Sequence, residues 1–183
     1  MADATVPHKV SPLGAAFVTG RFPAHDGDVG VTLSHRLPDG LVQVQAWPDA
    51  VGAVERAAHE AGVAMATGPG RWLIEGGADL ATTLRDRVDP GQGAVTDLTH
   101  ARVAFVIEGG EAAWLVACGF PLDVHPEAWP VGATKQSRLH HDMPVTLRRD
   151  REDAFTAYVF TTFARSFWHW LTSVAAEGGY EVA

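Results

Sequence analysis

The stretch LVQVQAWPDAVGAVERAAHEAG, residues 41–62, changes its apolar period from two to about 3.6 within a few positions. In its first part Val42 and Val44 alternate with glutamine, which predicts a β-strand with one buried face. Pro48 and Asp49 suit the first turn of a helix, and an apolar stripe follows them until a glycine ends the segment. Strands and helices are therefore mixed along this chain.

The same mixture continues on both sides of this stretch. The alternating residues 29–33 and the strand at 42–46 flank the turn signal Pro38-Asp39-Gly40, and together they predict a hairpin. A second hairpin is predicted at residues 63–75 around a Gly-Pro-Gly turn. A short helix, striped by leucine and valine, is predicted to follow it at about residues 78–88.

The second half of the chain repeats this order of elements. They are a strand at 103–107, a helix at 112–118, a proline-rich loop at 119–132, strands near 133–139, 144–148 and 155–160, and a helix at 163–177. Hairpins mixed with helices favour an α+β fold with antiparallel sheets over a doubly wound parallel sheet. We therefore predict an irregular N-terminal arm at residues 1–28 and two α+β halves, 29–92 and 93–183, packed as one body.

The charge of the chain excludes some classes of partner. Lys and Arg number 14 and Asp and Glu number 22, which gives a formal net charge of −8. An acidic chain repels phosphate backbones, so nucleic acid is not an expected partner. The early apolar stretch at residues 13–18 is too short for a signal peptide core or a membrane span. We expect a cytoplasmic protein with no membrane contact.

A search for catalytic or cofactor motifs finds none. The nine histidines include the adjacent pair His140 and His141, which would point to opposite faces of a strand, and neither an HExxH nor a CxxC motif occurs. Gly109-Gly110 precedes a helix, but no further glycine completes a phosphate-binding loop. The sequence therefore predicts no metal site, no cofactor site and no self-contained active site in this chain.

Some single residues allow two interpretations. Cys118 lies in an apolar segment and is predicted to be a buried structural thiol rather than a reactive one. Asp123 and His125 could form a general acid–base pair, but a loop role is favoured because aspartate commonly bonds to nearby backbone amides. Asp97, which precedes a strand, is the other candidate carboxylate.

Three aromatic residues are candidate interface residues. Phe120 and Trp129 lie in the long loop at 119–132, and a long loop inside a compact domain usually has a function. The alternative is that both side chains fold back onto the core of their own domain. Trp168 falls off the apolar stripe of the last helix and is expected to be exposed, which favours an interface.

Several segments, taken in order, are similar to one known family. They are GPGRWL at 68–73, VTDLT at 95–99, GFPLDVHP at 119–126, WPVG at 129–132 and FARSFWHWL at 163–171. In this order and spacing the chain resembles the gamma subunit family of heterotetrameric sarcosine oxidase. The resemblance covers most of the chain and is strongest from about residue 94 to residue 177.

This resemblance implies a fold and a role. The fold would be that of the folate-binding domain of aminomethyltransferases, with two ferredoxin-like βαβ-type halves. The role would be that of an accessory, non-catalytic subunit. The complex would oxidatively demethylate sarcosine or a related N-methyl amine and pass the one-carbon unit to tetrahydrofolate. FAD, FMN, NAD and tetrahydrofolate would be bound by other subunits, and the partners would be the alpha, beta and delta subunits.

Two other functions remain open from the sequence. The chain could be a free-standing folate-binding or one-carbon transfer protein of the same fold, or a pure assembly module. The folate-binding alternative needs a cavity with a carboxylate placed for a pterin ring. Asp97 and Asp123 are the first candidates for that carboxylate.

Overall fold

The computed structural model describes residues 9–25, 27–140 and 142–183. Its strands and α-helices are β1 (Gly20–Phe22), β2 (Val31–Arg36), β3 (Gly40–Ala46), α1 (Val51–Ala61), β4 (Val63–Gly68), β5 (Arg71–Gly76), α2 (Leu80–Arg87), β6 (Gly93–Asp97), β7 (Arg102–Glu108), α3 (Ala112–Gly119), β8 (Thr134–Leu139), β9 (Met143–Arg151), β10 (Ala154–Phe160), α4 (Ala164–Ala175) and β11 (Tyr180–Val182).

The smaller sheet has four antiparallel strands in the order β4-β5-β3-β6. The chain enters it as β3-α1-β4-β5-α2-β6, which is the ferredoxin-like arrangement. The predicted second hairpin is present as β4 and β5, and its turn residue Gly70 has a φ of +61°, where glycine is favoured. Helices α1 and α2 cover one face, where Val54 and Leu84 pack with Val44 and Ile74.

The larger sheet has seven strands in the order β1-β11-β2-β7-β10-β9-β8. Its neighbouring strands are antiparallel except β11 and β2, which run parallel. The ferredoxin-like path is repeated here by the elements β7-α3-β9-β10-α4. In a complete ferredoxin-like unit the final strand would pair with β7, and here β2 occupies that position. Helices α3 and α4 cover the outer face of this sheet, where Leu115 and Phe167 join one large apolar cluster with Phe105 and Phe155.

The predicted first hairpin is wrong. Strand β2 pairs with β7 and β11 in the larger sheet, whereas β3 pairs with β5 and β6 in the smaller one. Residues 37–39 therefore cross from one sheet to the other instead of closing a hairpin. The alternating pattern identifies a buried face but not the strand beside it. The two sheets consequently do not divide at the predicted boundary between residues 92 and 93, because β6, which follows that boundary, lies in the smaller sheet.

The described part of the N-terminal arm lies on the chain's own domain. Leu13 is completely buried in the large apolar cluster, and Gly20–Phe22 pairs with the C-terminal strand Tyr180–Val182. The arm was predicted to be irregular. Strand β1 escapes sequence analysis because it has three residues, all of them exposed, and so shows no alternation.

The two sheets pack face to face, with the helices on the outside. Leu41, Met65 and Leu73 of the smaller sheet meet Ala104 and Tyr158 of the larger one. The result is a four-layer α–β–β–α body built from two ferredoxin-like halves. The predicted α+β class with antiparallel sheets is confirmed.

The packing of α3 against α4 yields a first prediction. A Cβ at Gly119 would lie 2.2 Å from Trp170 Cζ2, a rigid ring that cannot move aside without disturbing Phe120 and Phe167. We expect Gly119→Ala to lower the free energy of unfolding by about 1–3 kcal/mol, measured by denaturant unfolding. Gly110→Ala is the matched control, since a Cβ there meets no atom within 4 Å. Equal stability of the two variants would contradict the packing argument.

Candidate functional site

The three aromatic residues predicted as interface anchors are buried in the core of this chain. Trp129 is completely buried, donates its indole N–H to the Ala133 carbonyl at 2.9 Å, and packs edge-on against Phe155. Phe120 is also buried, beside Trp170. Both residues therefore have the core role that was the alternative for them.

The expectation that Trp168 is exposed is wrong. Only 5% of this residue is exposed, and its indole N–H donates to the Ala16 carbonyl at 3.0 Å. Its ring lies 5.4 Å from that of Phe17, between centroids. The helical pattern placed Trp168 off the apolar stripe, but the N-terminal arm folds over this position and covers it.

Arg149 holds the long loop in place. Its guanidinium donates to the carbonyl oxygens of Val124 at 2.9 Å, Trp129 at 3.0 Å and Glu152 at 2.6 Å. The same group lies over the Phe155 ring, 5.3 Å from the centroid. The loop is therefore fixed to the outer face of the larger sheet. A contact between this loop and another subunit stays a prediction, and it would use exposed side chains such as Val131 rather than the buried aromatic ones.

Two other tryptophans, Trp47 and Trp114, have partly exposed rings. Trp47 and Trp114 are 42% and 39% exposed. Sequence reasoning did not single them out as surface residues. A signal existed for Trp114, because the core-facing positions of α3 are Ala112, Leu115 and Val116, and position 114 lies off that stripe.

A charged cluster joins the two sheets. Glu75 on β5 accepts hydrogen bonds from both terminal nitrogens of Arg36 on β2, and from the Tyr158 hydroxyl on β10 at 2.5 Å. Burial by itself would raise the pKa of the Glu75 carboxyl, but the hydrogen bonds from Arg36 and Tyr158 outweigh it and leave that pKa below its usual value. Burial and the Glu75 charge raise the pKa of Tyr158. Glu75 is thus an ionised structural link.

A serine–histidine pair lies under the N-terminal arm. Ser11 Oγ is 2.7 Å from His35 Nε2, and it also accepts from the Leu13 backbone N–H at 3.2 Å. The Nδ1 atom of His35 is buried and has no hydrogen-bond partner within the described residues. Since an orphaned N–H is rarer than an unfilled acceptor, we assign the ring proton to Nε2, which then donates to Ser11. Burial lowers the pKa of His35, and in this tautomer the ring donates to Ser11 instead of accepting its proton.

The two candidate carboxylates serve as turn residues. Asp97 accepts from the Thr99 backbone N–H at 2.9 Å, and this hydrogen-bonded contact with Thr99 lowers the pKa of Asp97. Asp123 accepts from the His125 backbone N–H at 2.9 Å, which agrees with the predicted loop role. Both side chains are exposed.

Metal-binding geometry is not found in the described part of the chain. Within residues 9–25, 27–140 and 142–183, no three His, Cys, Asp or Glu side chains lie close enough to hold an ion. His140 occupies a turn with a φ of +50°. His141, which was predicted to point to the opposite face of a strand, lies outside the described residues. The absence of a metal site stays a prediction.

Cys118 is exposed, so the prediction of a buried thiol is wrong. The apolar segment that contains it is a helix whose core-facing side is used by other residues, which leaves Cys118 on the outer side. Partial shielding by the protein and the charge of Glu177 raise the pKa of the thiol. Less thiolate is therefore present than at an ordinary exposed cysteine.

Two cavities meet at one buried arginine, Arg102, at the rim of the layer between the sheets. The first cavity has a volume of about 350 Å³ and includes Lys9, Leu37 and His100 in its lining. The second, of about 330 Å³, includes Arg138. Neither is lined by Asp97 or Asp123. Neither cavity therefore has, among the described residues, the carboxylate that a pterin site would need.

Sequence analysis gave no indication of Arg102. The only signal is a charged residue at the start of an apolar strand, and such a residue is usually solvated. Its guanidinium contacts Thr146 on β9 and Tyr158 and Phe160 on β10, and the N-terminal arm and the segment between β6 and β7 line the same cavity. This convergence is a property of the tertiary structure.

A comparison with known protein families identifies the chain. A family model described as sarcosine oxidase, gamma subunit family, matches residues 49–177. The chain belongs to the sarcosine oxidase gamma subunit family. The family resemblance expected from the sequence segments is thereby confirmed.

Solved structures extend this family match to the fold. A chain of heterotetrameric sarcosine oxidase from Corynebacterium sp. U-96, solved with pyrrole 2-carboxylate, superposes on this gamma-family chain with a TM-score of 0.75 and 25% identity. The match covers 92% of this chain and 95% of that chain. A comparison with curated protein sequences gave no match.

A second solved structure shares the fold alone. It is the glycine cleavage system aminomethyltransferase T from Bartonella henselae, with a TM-score of 0.59 and 17% identity. The match covers 88% of this gamma-family chain but 48% of the aminomethyltransferase. The expected similarity of fold to an aminomethyltransferase is confirmed. As for membranes, no α-helix in the described residues is long and apolar enough to cross one.

Glu75 predicts a pH dependence of stability. Because its folded-state pKa is below the usual value of 4.5, its contribution is present above that value and is lost as the pH falls below it. We expect Glu75→Gln to be less stable than the wild type at neutral pH, with a difference that narrows on acidification. Urea unfolding across this pH range measures it.

Glu60→Gln is the matched control for this measurement. Glu60 forms an ion pair with Arg87 at 3.4 Å on the exposed side of α1 and α2, and surface pairs of this kind contribute little. If the Glu75→Gln and Glu60→Gln variants follow the same pH profile, Glu75 does not link the sheets by charge.

Burial of Trp129 makes a separate prediction about stability. We expect Trp129→Ala to destabilise the isolated chain by about 3–5 kcal/mol, because it opens a cavity in the core and removes the indole hydrogen bond to the Ala133 carbonyl, which keeps the Arg149 backbone N–H as its donor. Trp114→Ala, at an exposed position, should change the unfolding temperature little. An unchanged unfolding temperature for Trp129→Ala would restore the interface interpretation.

Proposed function

We propose that this chain is the gamma subunit of a heterotetrameric sarcosine oxidase. The observation that carries the proposal is the match over nearly the full length of both chains to a chain of the Corynebacterium complex. Membership of the gamma subunit family supports it independently, because the family match rests on sequence rather than on structure. Its partners would be the alpha, beta and delta subunits of a cytoplasmic complex.

Within that complex the chain has an accessory role. The complex would oxidise the N-methyl group of sarcosine or of a related N-methyl amine and transfer the one-carbon unit to tetrahydrofolate. FAD, FMN, NAD and tetrahydrofolate would be bound by the other subunits. The two reactive-looking features of this chain support a non-catalytic role, since the Ser11–His35 pair tethers the arm and Asp97 and Asp123 stabilise turns.

Co-expression tests this proposal. The tagged chain is produced together with the other oxidase subunits of the same organism and purified through its tag. We expect the other subunits to co-purify, and we expect sarcosine-dependent hydrogen peroxide formation and flavin absorbance only in fractions that contain them. A well-folded chain that purifies alone in the presence of those subunits would contradict the proposal. So would flavin absorbance or oxidase activity of the chain alone.

The predicted contact of the loop at 119–132 with another subunit can be tested in the same preparation. Val131 is 55% exposed on this loop, and Val18, on the N-terminal arm, is 59% exposed. We expect Val131→Asp to reduce co-purification about tenfold or more while the unfolding temperature of the isolated chain is unchanged, since burying an unpaired charge weakens an interface strongly. Val18→Asp is the matched control. Full co-purification of Val131→Asp would exclude this part of the loop from the interface.

A further inference from the structure

Arg102 is buried without an acid partner. It is 9% exposed and begins β7, on the face turned toward the smaller sheet. Its Nη1 donates to Thr146 Oγ1 at 3.1 Å and to the Tyr158 carbonyl at 3.4 Å, and the guanidinium lies 4.2 Å from the centroid of the Phe160 ring. Its Nε–H is shielded from solvent and has no acceptor among the residues that the structure describes. No carboxylate of the described residues forms an ion pair with it.

A buried cation of this kind is unfavourable unless an anion reaches it. Burial lowers the pKa of Arg102, and no acidic neighbour opposes this effect. The guanidinium nevertheless stays protonated, because its ordinary pKa is far above neutral pH. Uncompensated buried charge is strongly unfavourable, and a bound anion would remove that penalty.

The first cavity beside Arg102 has a basic and apolar lining. Lys9 and His100 lie in it with Arg102, and Val10 and Leu37 supply apolar wall. None of the lining residues within the described part of the chain is acidic. In a chain of formal charge −8, a basic lining of this kind does not follow from the composition.

The nearest carboxylates belong to other contacts. Asp39 lies 3.8 Å from the Lys9 ammonium and is exposed, so it offsets part of that charge from outside the cavity. Asp97 is near His100 but binds the Thr99 backbone. Among residues 9–25, 27–140 and 142–183, none supplies a counter-charge to Arg102 by an ion pair, and Arg102 is the strongest anion-binding group in the lining.

We propose that this cavity binds a small organic carboxylate, with the carboxylate at Arg102 and the apolar part of the molecule against Val10 and Leu37. A planar guanidinium fork matches a carboxylate better than it matches a neutral acceptor. A volume of about 350 Å³ is near the lower end of ligand pockets, which span roughly 300–1,000 Å³. The apolar wall favours a single acidic group over a polyanion.

The second cavity, which also includes Arg102, can be compared with the first as an anion site. It contains Arg138 with Arg102, but its other lining residues are mostly polar, and they include Gln136 and Ser137. On that side the guanidinium already donates to Thr146, which lines the same cavity. The first cavity is therefore the better site for an anion with an apolar body.

Benzoate and benzamide, which differ in charge but little in shape, test the proposal on the full-length chain. Two-dimensional NMR titration of each compound follows the backbone amide resonances. We expect millimolar benzoate to shift the resonances of Val10, His100 and Thr161, and to leave those of Gln136 and Arg138 unchanged. Benzamide should bind at least about tenfold more weakly, because a charge-assisted hydrogen bond is lost.

Variants locate the site. We expect Arg102→Gln to weaken benzoate binding about tenfold or more and Lys9→Met to weaken it about two- to threefold, since the Lys9 charge is partly offset. Arg138→Gln, in the second cavity alone, should leave the affinity unchanged. If Arg102→Gln does not fold, the benzoate affinities of Lys9→Met and Arg138→Gln decide which of the two cavities binds benzoate.

Several results would overturn the proposal. One is the absence of benzoate binding, which is expected if an acidic side chain of another subunit occupies the cavity. Another is binding of benzamide or of inorganic phosphate with the same affinity as benzoate. The last two are resonance shifts centred on residues 136–138 and a benzoate affinity that changes in Arg138→Gln but not in Lys9→Met.

Discussion

The carboxylate of Glu75 lies on the smaller sheet and accepts hydrogen bonds from two side chains of the larger one, Arg36 and Tyr158. Only a few apolar side chains fill the layer between the sheets, so the two halves are held together by a small core and this charged link. An ionised carboxylate is tolerated there because each of its bonds comes from a charged or strongly polar donor. The relative position of the sheets therefore depends on this apolar core together with three polar residues from three different strands.

The same layer explains where the cavities lie. The segments that cross between the sheets, residues 37–39 and 98–101, run past its rim together with the N-terminal arm. Leu37, Thr99 and His100 of these crossing segments line the first cavity. Arg102 begins the strand at this point, which is why a buried cation and two cavities occur in the same place.

The aromatic residues divide into those that build the core and those available to a partner. Trp129 and Trp168 each bury the ring and give the indole N–H to a backbone carbonyl, which satisfies the polar atom of a buried tryptophan. Trp114 leaves much of its ring uncovered on α3. In a subunit of an oxidase complex, it is the exposed aromatic rings that remain free to contact another chain.

The sequence by itself determined most of the strands and helices, the α+β class and the family, because the apolar period and the turn signals act within a few residues of one another. The same signals placed Asp123 in a turn, as the structure has it. Only the tertiary structure decided that β2 and β3 belong to different sheets, that the arm covers Trp168, that Cys118 faces outward and that Arg102 is buried. A periodic pattern states which face of an element is buried but not what covers that face, and the covering segments here come from distant parts of the chain.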